Sequence, residues 1–229
     1  MKTIGLVGGT GWVSTVEYYR IINEEINKRL GGMEFAKCVL FSLNYGEIDS
    51  FNKKNDSEGI FSLISDAADK LIVAGADCIL LCANTMHQYA SQLERKIDVP
   101  LIHIAQATGK AIKSRGLSKI GLLGTKQTME MEFYKLKLEE ENINVIVPEK
   151  DDRDFIQQTI SNELLKNIFM EESRIRFRRI IEKLKEEGAN GVILGCTEIP
   201  LLIRQQHSAL PLFNTLEIHS LAAVDFALT

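Results

Sequence analysis

No stretch of this chain approaches the run of about 20 apolar residues that a helix needs to cross a bilayer, so no membrane segment is expected. Met1-Lys2-Thr3 leads directly into a candidate strand, without the charged and apolar regions of a secretory signal. A cytoplasmic location follows as an expectation. There is also no surplus of positive charge. The net charge of −4 argues against a surface that neutralises phosphate backbones, and hence against nucleic acid as a partner. The one basic run, Arg174, Arg176, Arg178 and Arg179, is interleaved with Glu171, Glu172 and Glu182 at helical spacing, which reads as a solvated face with local ion pairs.

Cysteine is scarce as well. Four thiols without a secretory signal do not make a disulfide framework, and a reducing compartment would keep them free. His103, His207 and His219 lack metal-like spacing with the cysteines, so no metal is expected. The turn Gly8-Gly9-Thr10-Gly11 begins like a dinucleotide loop, but Ser14 stands where the third glycine belongs. The second strand ends without an acidic residue, and no Gly-Lys-Ser/Thr element occurs. No nucleotide cofactor is expected.

What is present is an ordinary globular composition, 45% hydrophobic and 25% charged, with strands and helices in alternation. Strands are expected at 3–8, 36–43, 77–82, 99–102, 119–124, 143–147, 191–195 and 211–213. Helices are expected at 14–30, 57–74, 85–96, 103–115, 129–141, within 152–187, to about 205, and at 215–228. Residues 44–52 read as a polar loop. Ser14 and Glu17 have the spacing of a capping box. The pattern predicts an α/β fold with parallel sheets flanked by helices.

The two halves repeat each other. IGLVGGT at 4–10 matches IGLLGT at 120–125, GADCILLC at 75–82 matches GANGVILGC at 188–196, and VPLIH at 99–103 matches LPLFN at 210–214. Two pseudo-symmetric Rossmann-like domains are therefore expected, the first from residues 1–98 plus about 211–229 and the second from about 99–210. Their strand ends would meet at an interdomain cleft, where small-molecule sites commonly lie, and two linkers would form a hinge.

The repeat places Cys82 and Cys196 at matching strand ends, each expected beside a helix amino end. Such an end would favour the thiolate. A thiolate and a thiol facing one carbon can remove a proton from one side and return one to the other, which is racemisation by two bases without a cofactor. Backbone N–H groups near Asn84, Thr85 and Thr197 are candidate donors to a substrate carboxylate, and Thr10, Thr125 and Thr128 lie on equivalent loops. Cys38 and Cys78 sit inside apolar strands and read as core. His87 either tunes the Cys82 thiol or packs locally. Trp12 and Tyr18-Tyr19 read as packing or interface residues.

With CANTMH at 82–87, GCTE at 195–198, GGTGW at 8–12 and STVEYYRIIN at 14–23, the chain resembles the aspartate/glutamate racemase family over essentially its whole length. The resemblance implies an amino-acid racemase that uses two cysteines without pyridoxal phosphate or any other cofactor, and a homodimer. Glu198 stands where the glutamate racemases of cell-wall synthesis usually have histidine, which points to the aspartate racemase branch. The same resemblance implies that Asn52 and Glu198 contribute to substrate binding. Asp49 and Leu165 occupy the positions where aspartate-using relatives present basic side chains, with Lys166 adjacent. Neutral amino acids are then the expected substrates, as in the broad-specificity members, with aspartate or glutamate the alternative. Two further readings stay open: a decarboxylase or other carbanion-forming enzyme on the same scaffold, and a catalytically silent binding homologue.

Overall fold

Ile4–Gly8 (β1) is apolar at nearly every position and all five residues are buried, as a parallel strand covered on both faces requires. In the computed structural model, which describes residues 1–229, β1 pairs in parallel with Cys38–Ser42 (β2) and Cys78–Leu81 (β3). The sheet order is β2-β1-β3. Trp12–Leu30 (α1), Tyr45–Lys53 (α2), Ser57–Val73 (α3) and Ala90–Glu94 (α4) complete the first half. Helix α3 buries Ile60, Ile64, Ala67, Ala68 and Leu71, a stripe at helical spacing that joins Val7, Ile79 and Leu81 in one core.

Ile104–Lys113 (α5) leads to Lys119–Gly124 (β4), followed by Lys126–Glu130 (α6), Glu132–Glu139 (α7) and Asn144–Ile146 (β5). Lys150–Asn162 (α8) and Glu171–Glu186 (α9) precede Gly191–Gly195 (β6), Ile199–Leu202 (α10), Leu212–Asn214 (β7) and Thr215–Leu228 (α11). The second sheet is parallel with order β5-β4-β6-β7. Its core gathers Leu122, Tyr134, Phe177, Ile193 and Phe213; full burial of side chains of this size contributes roughly 1.5–3 kcal/mol each.

The chain divides into two compact units, Met1–His103 with His219–Thr229, and Ile104–Ile218. The expected boundaries move because of two pairings. Leu101 makes a parallel bridge to Ile79, which holds residues 99–103 against the first sheet. Strand β7 pairs with β6, so residues 212–214 stay in the second sheet and α11 returns to the first unit from His219 onward. The internal repeat survives this shift: β2-β1-β3 with the Leu101 bridge corresponds to β5-β4-β6-β7.

Local expectations differ at several places. Helix α1 begins at Trp12 with Gly11 as its cap and no side-chain capping bond, because the Ser14 and Thr15 hydroxyls donate instead to the Gly11 carbonyl at 3.1 and 2.8 Å. Residues read as a polar loop form α2, capped by the Asn44 side chain accepting from the Gly46 N–H at 3.1 Å. The helix expected at 129–141 is split at Met131, whose backbone is extended. The helical region 152–187 is interrupted at Asn167, which is left-handed at φ +60°. No helix is long and apolar enough to cross a membrane.

Candidate active site

In a sheet of order β2-β1-β3 the chain leaves β1 toward one side and returns to β3 on the other, so the loops after β1 and β3 diverge and leave a crevice at the carboxyl ends of the strands. Thr10 follows β1 and Cys82 follows β3. The β1 loop is held tightly. Gly9 has φ +84°, and a Cβ there would lie 2.1 Å from the Leu43 carbonyl oxygen, so only glycine fits. The Gly9 N–H donates to Thr15 Oγ1 at 3.0 Å, which leaves Thr10 half-buried at the turn.

The Cys82 N–H donates to the Val7 carbonyl at 2.9 Å, continuing the sheet by one residue. Its side chain is 1% exposed, with Sγ 4.0 Å from the Leu80 carbonyl oxygen. Ala83 is extended, and residues Asn84–Tyr89 form a 3-10 helix rather than an α-helix. Asn84 is buried and Thr85 half-buried at its start. Asn52 is exposed on α2, one turn from Asp49, which pairs with Lys53 at 2.6 Å.

The second unit repeats the arrangement, with the crevice between β4 and β6. Thr125 caps α6 by accepting from the Thr128 N–H at 3.2 Å, and the two hydroxyls are 3.0 Å apart. Cys196, directly after β6, is 6% exposed. Its thiol donates to Glu198 Oε2 at 3.0 Å, and the Thr197 hydroxyl donates to the same oxygen at 3.2 Å. Thr197 and Glu198 are both buried. The family resemblance implies a substrate-binding role for Glu198; the structure sets it against the thiol.

Burial pushes the Cys82 thiol well above the ordinary range. It does the same for Cys196, where the Glu198 charge and hydrogen bond add to it. The expected lowering by helix amino ends is overturned. A six-residue 3-10 helix and the four-residue α10 align few peptide dipoles, and desolvation of a sulfur anion outweighs them. Both cysteines are thus protonated before substrate arrives. Cys38 and Cys78 are also shifted up by burial, to about 11 and about 12, with Cys78 buried and Cys38 half-buried.

Lys166, next to Leu165, is exposed on a 3-10 turn. No group of three or more His, Cys, Asp or Glu side chains is placed to hold a metal ion. Sequence reasoning missed Thr15 as the brace of the β1 loop, and it missed the bond between Tyr18 and His219 at 2.9 Å. The first was masked by the capping-box spacing at Ser14, and the second joins residues far apart in the chain.

Three relatives lie at different distances from this chain. A Yersinia pestis protein solved as a candidate Asp/Glu racemase is 45% identical, with both chains fully covered and a TM-score of 0.92. An aspartate racemase homologue from Pyrococcus horikoshii OT3 is 34% identical over the full length of both chains, with a TM-score of 0.86. The broad specificity amino-acid racemase RacX of Bacillus subtilis (strain 168) is 24% identical over 222 residues, 93% of this chain and 92% of that protein. The profile of the Asp/Glu/Hydantoin racemases matches residues 7–223; the chain belongs to that family and is an isomerase.

Proposed function

We propose that the protein is a cofactor-independent amino-acid racemase in which Cys82 and Cys196 act on one α-carbon from opposite faces. The observation that carries this reading is the repeat itself: each of the two units buries a cysteine directly after the strand beside its crevice, Cys82 after β3 and Cys196 after β6. One thiolate removes the α-proton and becomes a thiol. The other thiol delivers its proton to the opposite face and becomes the thiolate, so a turnover inverts the centre and exchanges the protonation of the pair.

Both thiols rest in the neutral form, so one proton must leave as substrate binds. At Cys196 the buried Glu198 carboxylate is the nearest acceptor, 3.0 Å from Sγ. N–H groups at Asn84, Thr85 and Thr197 are the proposed donors to the substrate carboxylate, with hydroxyls of Thr10, Thr125 and Thr128 beside them and Asn52 reaching from α2. Preorganised donors of this kind stabilise the spread charge of the carbanion, and each positioned acid or base contributes about 10²–10⁴-fold.

Neutral amino acids are the proposed substrates. By the family resemblance, Asp49 and Leu165 stand at the positions where aspartate-using relatives present basic side chains; Asp49, although paired with Lys53, is acidic, and Leu165 offers no cation. A chiral assay over the proteinogenic amino acids, in D2O and without added cofactor, tests both parts. Racemisation with solvent deuterium entering the α position is expected for neutral side chains. Activity confined to aspartate would overturn the substrate assignment, and carbon dioxide release from a substituted malonate without racemisation would overturn the reaction.

A further inference from the structure

Three of the four histidines meet in one buried cluster in the first unit. His87 and His219 are 2% and 0% exposed and His103 is 7% exposed. The His87 ring lies 4.7 Å from that of His103 and 5.5 Å from that of His219, centre to centre. The proposed two-cysteine mechanism uses none of them, yet His87 bonds to the residue that follows Cys82.

The hydrogen bonds define its proton arrangement. His219 Nε2 is 2.6 Å from the Ile102 carbonyl oxygen, which only accepts, so that nitrogen carries the proton. In the neutral ring Nδ1 is then an acceptor, and the buried Tyr18 hydroxyl donates to it at 2.9 Å. His87 Nδ1 is 3.1 Å from the Ala83 carbonyl oxygen and, by the same logic, donates to it. Ala83 is the peptide that follows Cys82. It is the point where the extended strand turns into a 3-10 helix that has no side-chain cap of its own.

We propose that His87 is a positioning residue for Cys82: it ties the Ala83 carbonyl back to the 3-10 turn and is itself held in place by His219 and Tyr18. The structure assigns this role on one side only, because the turn after Cys196 carries Glu198 and no histidine. Misplacing a reacting group by about 1 Å can cost on the order of 10²-fold, so the loss should fall on proton transfer at Cys82 alone.

The inference rests on the two-cysteine reading, and the test separates the two. The probe is the α-deuterated L- and D-forms of whichever of alanine, methionine, aspartate and glutamate the wild type racemises fastest. Interconversion of enantiomers has an equilibrium constant of one, so kcat/KM in a variant falls alike in both directions, but the isotope effects need not. His87→Leu is expected to lower kcat/KM roughly tenfold to hundredfold. It should also raise the isotope effect for the enantiomer that Cys82 deprotonates and lower it for the other. His87→Asn, whose amide can still reach the Ala83 carbonyl, should restore most of the rate and the balance. Tyr18→Phe should shift the isotope effects in the same opposed sense, by less, and it decides the matter if the leucine variant does not fold. Unchanged or parallel isotope effects, or an asparagine variant no better than leucine, would overturn the proposal. A wild type without α-proton exchange would instead sink the two-cysteine reading.

Discussion

The turn after Cys82 and the turn after Cys196 have the same place in the same topology and different electrostatics. Each follows the strand beside the crevice of a parallel sheet, and each buries its thiol. At Cys196 a carboxylate accepts a hydrogen bond from the thiol at 3.0 Å; after Cys82, the buried His87 bonds to the Ala83 carbonyl and packs against the rings of His103 and His219. A duplicated backbone therefore supplies two equivalent positions, while the side chains around them give the two sulfurs different surroundings. On the proposed two-cysteine reading the equivalent positions address one carbon from two sides, and the different surroundings set how readily each sulfur gives up its proton.

The comparison breaks most severely if either thiol is removed. Cys82→Ala and Cys196→Ala should each reduce racemisation by at least about 10²–10⁴-fold, measured by chiral chromatography, and a single variant that racemises normally would end the two-base mechanism. A smaller effect is expected from Glu198→Gln, which removes a charge that holds the Cys196 thiol up. Alkylation of Cys196 by iodoacetamide at fixed pH, followed by peptide mass spectrometry, should rise several-fold while that of Cys82 stays constant. In the unaltered protein kcat/KM should climb with pH through the neutral range, because burial raises both thiols and the thiolate fraction grows as pH rises.

The histidine cluster sharpens the same contrast through stability. Burial holds His219 at about 3, below its ordinary 6.5, and holds His87 well below its ordinary value. The unfolded chain takes up protons at these positions that the folded chain refuses. The stability they support is complete above about pH 6.5 and falls as pH drops toward 3, by up to about 1.4 kcal/mol per pH unit for each histidine. In denaturant titrations His219→Gln should lose less stability than the wild type over that window; equal losses would contradict the assignment. The smallest effect separates the two β-strand loops. Thr125 caps α6 with its side chain, whereas Gly11 caps α1 without one, so Thr125→Ala should cost about 1 kcal/mol in thermal unfolding.

Much of the fold could be read before the structure. Buried parallel strands are continuous apolar runs, and β1, β3, β4 and β6 stand out as such. The glycine turns that end α1 and α3, at Gly31 and Gly75, take the positive φ that glycine favours. Less legible were α2, whose polar residues look like loop until Asn44 is seen to cap it, and the breaks at Met131 and Asn167, which a helical periodicity runs straight through. At the candidate site, the positions of Cys82 and Cys196 after matching strands could be read from the sequence, but the state of the thiols and the bond from Cys196 to Glu198 could not. The helix amino ends expected at both turns suggested lowered thiol pKa values, whereas the helices there are short and desolvation outweighs them.

The α/β alternation, the duplication and the two cysteines after matching strands are written locally along the chain, in periodicity, glycine positions and internal similarity. Long-range packing settles the rest: β7 stays with β6, Glu198 accepts from Cys196, and Tyr18, His87, His103 and His219 share one buried cluster. Those facts depend on which distant segments pack together and how much water they exclude, and neither burial nor a hydrogen bond between Tyr18 and His219 leaves a trace in the spacing of residues.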